Sequence, residues 1–389
     1  RASSVRNGRA TMVAQTNEAI DWARVRQNFP VTERWAYLNT AAAGPVSRLS
    51  MEAAVRFYRE TLEDADRHWT SWLNRREQAR VNIARLINAE PDEIGLTTNT
   101  SSSMNLIVDA LAERGEVISC ALEFPVSTIP WLHRGVRVHL LEPHEGVVTP
   151  DDISAAMNER TGIICLSHVQ FSNGLRSNLA EIGARKGGHA FVVNAAQSAG
   201  VFEIDVKRMR IDALAATGHK WMLGGYGSGF VYLSRELLHA TRPRAIGWLS
   251  TPDPFADRND EARVRGDAAA RAELGCPHFG GICSLGAAAE YALQLGAQQI
   301  EARALALNRQ LTDSLIDAGW RVLSPLDDES YRSAETLVAA DEPERVARHL
   351  HHRNVAVTQK PEGIRVATHF FNDESDIARL IAALAELRG

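Results

Sequence analysis

The sequence predicts an α/β fold in which short buried strands alternate with amphipathic helices. Apolar runs at residues 161–166, 190–193 and 212–216 have the length of strands, and polar side chains follow each run. Residues 48–87 carry apolar side chains at helical spacing among many charges. Strands that end in polar residues present them at the carboxyl edge of a sheet, where α/β folds bind ligands. The sequence therefore predicts a ligand site at that edge.

The remaining elements complete this alternation. Residues 93–98 and 116–120 are further short apolar runs typical of strands. An amphipathic stretch over residues 283–318 predicts one long helix that leads into a smaller C-terminal unit. A helix in that unit ends in RHLHHRNV. Cationic side chains are common near a helix carboxyl end, so these histidines predict no metal site.

Length, composition and charge exclude several classes of protein. A chain of 389 residues with 45% hydrophobic content can bury a large core in one or two domains. The net charge is -5 and no basic block occurs, so no nucleic-acid partner is expected. No apolar run has membrane-spanning length, so no membrane partner is expected.

The cysteines predict a cytoplasmic location. Cys120, Cys165, Cys276 and Cys283 lack the spacing of metal ligands. Cys120 and Cys165 end apolar strands, as buried free thiols do. Free thiols without a disulfide framework favour a reducing compartment.

The amino terminus is predicted to carry no secretory signal as it stands. Residues 1–11 are polar and basic and contain no apolar segment. Met12 is a candidate for the natural first residue, and a trimmed leader is the alternative.

Lys220 is the most informative residue of the chain. It lies in AATGHKWMLGGYGSGFVYL, residues 215–233, between small apolar residues and Trp221, and a glycine-rich turn follows it. This setting predicts partial burial, unlike that of a surface lysine. Burial depresses the pKa of a lysine and leaves an amine nucleophile suited to Schiff-base chemistry.

The lysine motif and the strand that ends in Asn194-Ala195-Ala196-Gln197 together resemble the pyridoxal 5'-phosphate (PLP) enzymes of fold type I, specifically the class V aminotransferase family. The resemblance spans roughly residues 35–385. It implies a mixed, mostly parallel sheet with helices on both faces, plus a small C-terminal α/β domain. It also implies three segments: an N-terminal extension (1–34), a large PLP-binding domain with a substrate loop near its start (35–282), and a linking helix with the small domain (283–389).

The resemblance assigns PLP as the cofactor and a residue set around it. Lys220 matches the lysine that forms the Schiff base, Phe124 the side chain that stacks on the ring, and Gln197 the ligand of the ring hydroxyl. A helix amino terminus after hydroxyl residues suits a phosphate on physical grounds as well. The residues that match phosphate ligands are Thr100, Ser101, Thr217 and His219.

Asn194 departs from the family pattern. The family places an aspartate there, paired with the protonated ring nitrogen, which makes the ring a strong electron sink. Asparagine carries no charge, although it can still hydrogen-bond the nitrogen. Three explanations stay open: chemistry that needs less electron withdrawal, another group that compensates, or an engineered substitution.

Substrate and partner residues follow from the same resemblance. Arg365 matches the arginine of the family that binds the substrate α-carboxylate, and its guanidinium fork fits that group bidentately. Asn39 lies in the predicted substrate loop. The loop around Gly247 and Trp248 resembles the one that reaches the neighbouring site in a homodimer.

The predicted function is PLP-dependent chemistry on an α-amino acid through an external aldimine, of lyase or epimerase-like type. Desulfurases of the family carry a catalytic cysteine before the last strands, whereas residues 324–340 contain none, which disfavours persulfide transfer. The Glu123-Phe124-Pro125 segment and the Gly247-Trp248 loop resemble the isopenicillin N epimerase-like and lyase-like branch. The alternatives are a class V transaminase and a catalytically weakened protein that binds PLP or an amino acid.

Overall fold

A computed structural model describes residues 20–255 and 259–387 of the chain. Its strands are β1 (Ala36–Tyr37), β2 (Ile94–Thr97), β3 (Glu116–Cys120), β4 (Val138–Leu141), β5 (Thr161–Ser167), β6 (Ala190–Asn194), β7 (Ala213–Thr217), β8 (Gly229–Leu233), β9 (Glu335–Ala339), β10 (Val355–Ala356), β11 (Thr358–Lys360) and β12 (Gly363–Ala367). Its helices are α1 (Trp22–Arg26), α2 (Val31–Arg34), α3 (Arg48–Asp64), α4 (Trp69–Leu86), α5 (Thr100–Leu111), α6 (Ile129–His133), α7 (Pro150–Ala156), α8 (Leu179–Arg185), α9 (Arg235–Ala240), α10 (Ala269–Ala272), α11 (Phe279–Leu295), α12 (Ala297–Asp317), α13 (Pro343–His352) and α14 (Glu374–Ala385).

The larger sheet of the described residues has seven strands in the order β2-β8-β7-β6-β5-β3-β4. Only β8 runs antiparallel to its neighbours, while the other pairs are parallel. Apolar side chains alternate between the two faces of the strands. Ile163 and Val192 pack with α5 on one face, and Ile164 and Val193 pack with α4 and α11 on the other. The prediction of a mostly parallel sheet covered by helices is confirmed.

A smaller unit follows α12. Within the described residues it contains a three-stranded antiparallel sheet in the order β11-β12-β9. Leu350, Ile364 and Leu380 of this unit share one apolar core with Leu311 of α12. Strand β1 pairs in parallel with β10, so the start of the described chain is joined to this unit.

One predicted long helix is broken in the structure, and a second helical stretch forms two helices. The stretch 283–318 forms α11 and α12, which are separated at Gly296, where φ is 84°. Only glycine adopts such a φ without steric cost, so a residue visible in the sequence ends the helix there. The stretch 48–87 forms α3 and α4, and the break follows Ala65, which has φ 54°. The prediction of one long helix over 283–318 was wrong at Gly296, whereas the prediction that residues 48–87 are helical is confirmed by α3 and α4.

Residues 20–34, the described part of the predicted N-terminal extension, pack against the C-terminal unit. Arg26 donates hydrogen bonds to both carboxylate oxygens of Asp376, at 2.7 and 2.9 Å. Phe29 stacks on Phe371 with ring centroids 4.8 Å apart. The predictions about residues 1–11 and Met12 lie outside the described residues, and the three proposed segment boundaries stay predictions. No helix among the described residues has both the length and the apolar character to span a bilayer.

A buried ion pair fixes the strand that leads into α5. Arg80 of α4 is 4% exposed and donates to both oxygens of Glu273, at 2.6 and 2.9 Å. Glu273 also accepts the backbone N–H of Leu96 in β2, at 2.9 Å. The pair therefore ties α4, β2 and the segment around residue 273 together.

We expect Arg80→Leu to lower the free energy of unfolding by about 3 kcal/mol, because it leaves the buried Glu273 with only Arg76, 3.6 Å away, as a counter-charge. Urea denaturation measures the change. Arg345→Leu is the matched control, because it removes an ion pair to Glu342 whose two side chains are 64% and 62% exposed. The control should cost less than about 1 kcal/mol. Equal costs for the two variants would contradict the role given to the buried pair.

Candidate active site

One cavity collects the polar side chains that follow the parallel strands. Ser167, Asn194 and Thr217 are the last residues of β5, β6 and β7, and all three line it. Its volume is about 210 Å³. All eight residues that the sequence assigned to the cofactor line this cavity: Thr100, Ser101, Phe124, Asn194, Gln197, Thr217, His219 and Lys220. The structure thus brings them together, and their individual roles stay proposals.

Lys220 differs from Lys186 and Lys207, two of the other three lysines, because it has no ion-pair partner among the described residues. The chain has only Lys186, Lys207, Lys220 and Lys360. Lys186 pairs with Asp212, and Lys207 pairs with Glu93. Within residues 20–255 and 259–387, no group hydrogen-bonds the amine of Lys220. Burial, and after it the positive charge of Arg365, lowers the pKa of Lys220 from 10.5 to about 8.

The backbone around Lys220 is held by close packing. Gly218 N–H donates to the carbonyl of Ser228 at 2.7 Å, and Gly44 N–H donates to the carbonyl of His219 at 2.8 Å. A Cβ atom added at Gly44 would lie 2.2 Å from the carbonyl oxygen of Lys220. Only glycine allows this approach, so the predicted substrate loop packs directly on the lysine turn.

His219 and Thr217 form a hydrogen-bonded pair at the cavity wall. The Thr217 hydroxyl and His219 Nδ1 are 2.7 Å apart. The ring of His219 stacks on Tyr226, with centroids 4.6 Å apart. Burial, followed by the charge of Lys220, lowers the pKa of His219.

The amino terminus of α5 opens on the cavity. Asn99 caps the helix, and its side-chain oxygen accepts the N–H of Ser102 at 2.9 Å. Thr100 and Ser101 line the cavity with first-turn N–H groups that the helix itself leaves unpaired. This end of the cavity therefore favours an anion.

Phe124 provides an aromatic face beside the lysine. The amine of Lys220 lies 5.8 Å from the centroid of its ring. Phe171 packs edge-on against Phe124, with centroids 5.1 Å apart and planes at 88°, and also lines the cavity.

Gln197 is oriented by a residue that the sequence analysis missed. Its Oε1 accepts the indole N–H of Trp221 at 2.6 Å, and its Nε2 donates to the carbonyl of Ala41 at 3.0 Å. Both ends of the amide are therefore fixed. The feature of the sequence that could have identified Trp221 is its position directly after Lys220.

Asn194 has a similarly fixed amide. Its Oδ1 accepts the N–H of Ala196 at 3.0 Å, and its Nδ2 donates to the hydroxyl of Ser127 at 3.0 Å. Ser127 is fully buried and lies in the loop after β3. Sequence reasoning gave no role to Ser127.

The two residues that were predicted to bind the substrate, Arg365 and Asn39, do not line the cavity. Arg365 is 5% exposed and donates to the carbonyl of Phe171 at 3.0 Å, and its Nη1 lies 3.5 Å from Glu335. Asn39 accepts a short hydrogen bond from the hydroxyl of Thr358. Arg365 reaches the cavity wall only through Phe171, so both substrate assignments stay proposals.

Glu335 and Lys360 complete a charged cluster with Arg365 behind Phe171. Burial raises the pKa of Glu335, and the charge of Arg365 opposes that rise. The Lys360 ammonium lies 4.1 Å from the centroid of the Phe171 ring, and burial followed by Arg365 lowers its pKa. The sequence analysis did not single out either residue.

Comparison with known proteins assigns the family. The model of the family described as aminotransferase class-V matches residues 36–380. The chain belongs to the class V aminotransferase family. It is therefore a PLP-dependent enzyme of the kind that acts on amino acids, as the sequence resemblance predicted.

Named relatives lie on two branches of this family. A probable cysteine desulfurase of Methanothermobacter thermautotrophicus is 28% identical over 94% of this chain and 98% of the relative. An isopenicillin N epimerase of Streptomyces clavuligerus is 29% identical over 95% of this chain and 99% of the relative. The apo structure of a cysteine desulfurase from Thermococcus onnurineus NA1 superposes with a TM-score of 0.86 at 24% identity, covering 96% of this chain and 99% of that one. This last likeness supports the fold.

The donor set of the cavity fits PLP. Its described lining contains hydroxyl, amide, imidazole and amine groups and no carboxylate, which suits a phosphate group. Phe124 supplies an apolar face for a ring, and Lys220 supplies an amine that has no hydrogen-bond partner among the described residues. No group of three or more His, Cys, Asp or Glu side chains among the described residues is arranged to hold a metal ion.

The lowered pKa of Lys220 predicts a pH profile. Only the neutral amine reacts with the carbonyl of PLP, so incorporation into the apoprotein should accelerate as pH rises through about 8 and level off above it. Rapid-mixing absorbance measures the rate. Arg365→Gln should move the midpoint upward, because it removes a positive charge that lowers this pKa. Arg353→Gln, whose side chain is 56% exposed, is the control and should leave the midpoint in place. A midpoint that does not respond to loss of Arg365 would contradict the electrostatic cause.

Proposed function

We propose that the protein is a PLP-dependent lyase or epimerase-like enzyme that acts on an α-amino acid. The observation that carries this proposal is the state of the Lys220 amine, which has a lowered pKa and no hydrogen-bond partner among the described residues. The described residues that line its cavity include neither a carboxylate nor a cysteine. A neutral amine there suits Schiff-base formation and then proton transfer. The relatives include an isopenicillin N epimerase, which fits epimerase-like chemistry, and a probable cysteine desulfurase that matches the chain to the same extent.

Each residue has a separate part in this proposal. Bound PLP supplies an electrophilic carbonyl and an electron sink. Thr100, Ser101, Thr217 and His219 bind its phosphate, which the amino terminus of α5 and the neighbouring donors favour. Phe124 packs on the ring and keeps water from one face. Gln197, held by Trp221, presents its remaining N–H to the ring oxygen.

Lys220 and Arg365 act on the substrate in this proposal. The Arg365 guanidinium binds the α-carboxylate, and its hydrogen bond to the Phe171 carbonyl holds the fork in place. The neutral amine of Lys220 then takes the proton from the substrate Cα, and it returns a proton in the epimerase-like case. Its pKa of about 8 makes the neutral form available near neutral pH.

The cysteines favour chemistry without an enzyme persulfide. Cys120, Cys165 and Cys283 are buried, and Cys276 is exposed. Cys276 lines a different cavity, together with Thr98 and His278. None of the four thiols lines the cavity that holds Lys220. A transaminase is the second candidate, and the description of the matching family favours it.

The cysteines also support a proposed cytoplasmic location. All four are present as free thiols, and three of them are buried. Free thiols persist in reducing compartments.

We also propose that two copies of the chain form a homodimer. Helix α3 presents Met51, Val55, Tyr58 and Leu62 at helical spacing, and these side chains are between 40% and 85% exposed. Trp248 is a further exposed aromatic, in the loop predicted to reach the neighbouring site. Contiguous exposed apolar side chains typically mark a protein interface.

Absorbance spectroscopy tests the enzymatic proposal. The protein with PLP should show a lysine-linked band, and one amino acid should be consumed over many turnovers without a 2-oxo acid while the band returns. Conversion of the cofactor to its pyridoxamine form in one stoichiometric step would instead favour the transaminase. Borohydride reduction followed by peptide mapping should place the label on Lys220 among the four lysines. Lys220→Ala should abolish the band, and label on another lysine would contradict the proposal.

Sedimentation tests the homodimer. Met51→Asp should shift the protein from dimer to monomer, because a carboxylate would be desolvated at the apolar interface. Ile316→Asp is the matched control, since Met51 and Ile316 are both 52% exposed and Ile316 lies on α12. A monomeric unmodified protein would refute the dimer, and equal effects of the two substitutions would refute the interface on α3.

A further inference from the structure

One face of the small C-terminal sheet carries a row of charged side chains. Thr358 of β11 pairs with Arg365 of β12, and Arg365 pairs with Leu337 of β9. Paired residues, and residues two positions apart on a strand, lie on the same face, so Lys360 and Glu335 share the face of Arg365. The residues on either side of Arg365 point to the other face and belong to the apolar core of this unit. Glu335, Arg365 and Lys360 therefore form one charged face.

This charged face lies against Phe171, a residue of the cavity lining. Arg365 donates to the Phe171 carbonyl at 3.0 Å, and the Lys360 ammonium lies 4.1 Å from the centroid of the Phe171 ring. The same ring packs on Phe124, whose ring centroid is 5.8 Å from the amine of Lys220. Lys360 is therefore one aromatic side chain away from the cavity that holds Lys220.

Positive charge is in excess on this side of the cavity. Lys220, Lys360 and Arg365 share one buried carboxylate, that of Glu335, which lies 3.5 Å from Arg365. The exposed Glu362 is a further carboxylate near Lys360. Among the described residues, no hydrogen bond or ion pair holds the Lys360 ammonium. Burial and the charge of Arg365 lower the pKa of Lys360, so an added anion would stabilise its charged form.

Two buried polar atoms of the charged face lack a hydrogen-bond partner. Within residues 20–255 and 259–387, these are Nε of Arg365 and Oε2 of Glu335. Both residues are at most 5% exposed. Buried polar atoms without a partner are uncommon in folded proteins, and they mark places that a bound polar molecule completes. The charged face therefore lacks polar groups that a substrate can supply.

We propose that the substrate is an acidic α-amino acid, and that Lys360 binds the anionic group of its side chain while Arg365 binds the α-carboxylate. This inference names the substrate class of the proposed function and rests on that function. The four-carbon stem of Lys360 allows its ammonium to leave the face of the Phe171 ring and reach the cavity. An ammonium is a compact charge with three donors, so it can bind acidic side chains of different length. Lys360 thereby determines specificity and leaves the proton transfer to Lys220.

Titration of the PLP holoprotein with matched pairs of amino acids tests this assignment. L-Aspartate is compared with L-asparagine, and L-glutamate with L-glutamine, because the members of each pair have the same shape and differ in side-chain charge. The amplitude by which each amino acid depletes the lysine-linked band, measured by rapid mixing before turnover, gives its dissociation constant. At least one acid should bind about tenfold more tightly than its amide, because a hydrogen bond between charged groups is stronger than one to a neutral group.

Variants separate the roles of the two cations. Lys360→Gln should bring the ratio of the two dissociation constants close to one, whereas Lys360→Arg keeps the charge and should retain the preference for the acid. Arg365→Gln should weaken the binding of acid and amide alike, because both have an α-carboxylate. Arg353→Gln removes a charge that is 56% exposed in the same unit, and it should change neither constant.

Two results would overturn this inference alone, in protein that shows the lysine-linked band. The first is equal affinity for acid and amide in both pairs. The second is an unchanged ratio in Lys360→Gln, which would leave Lys360 a structural role beside Glu335. Absence of the band from the unmodified holoprotein would overturn the proposed function and this inference with it. Lys360→Met is the second neutral variant and decides the matter if Lys360→Gln does not fold.

Discussion

The register of the parallel strands is the constraint on which the site depends. Ser167 is paired with Asn194, and Asn194 is paired with Ala215, two residues before the end of β7. This alignment brings three strand ends to one edge of the sheet, and the turn after β7 then carries Lys220 over that edge. A one-residue slip would turn each of these side chains to the other face of the sheet. The apolar side chains on both faces oppose such a slip, because each of them would move out of its own hydrophobic core to the opposite face of the sheet.

The alternation of apolar runs and polar residues along the sequence was enough to predict the site residues that follow strands. It was not enough to predict the residues that orient those side chains. Asn194 and Thr217 stand directly after apolar runs, and Lys220 follows Thr217 three residues later, so a sheet edge could be predicted from the sequence. Trp221 was missed because its role depends on a partner, Gln197, that lies 24 residues away in the chain. Hydrogen bonds over such separations leave no periodic signal. Arg365 was found by resemblance, whereas its contact with Phe171 depends on how the C-terminal unit packs.

The site has two electrostatic sides. On one side, Lys220, Lys360 and Arg365 surround the single carboxylate of Glu335. On the other, Glu123 is the carboxylate and its partners are neutral donors. Neither carboxylate is exposed to the cavity, where it would repel a phosphate.

The short segment that begins with β1 connects the two units through its backbone. Strand β1 pairs with β10. The carbonyl of Leu38 accepts the N–H of Ala367, the last residue of the strand that contains Arg365. The carbonyl of Ala41 accepts a hydrogen bond from the side-chain amide of Gln197. Gly44 then packs on the carbonyl of Lys220. A rotation of the C-terminal unit would pull on this segment and displace the Gln197 amide as well as Arg365. The position of the Gln197 amide in the cavity is therefore coupled through this one segment to the position of the strand that carries Arg365.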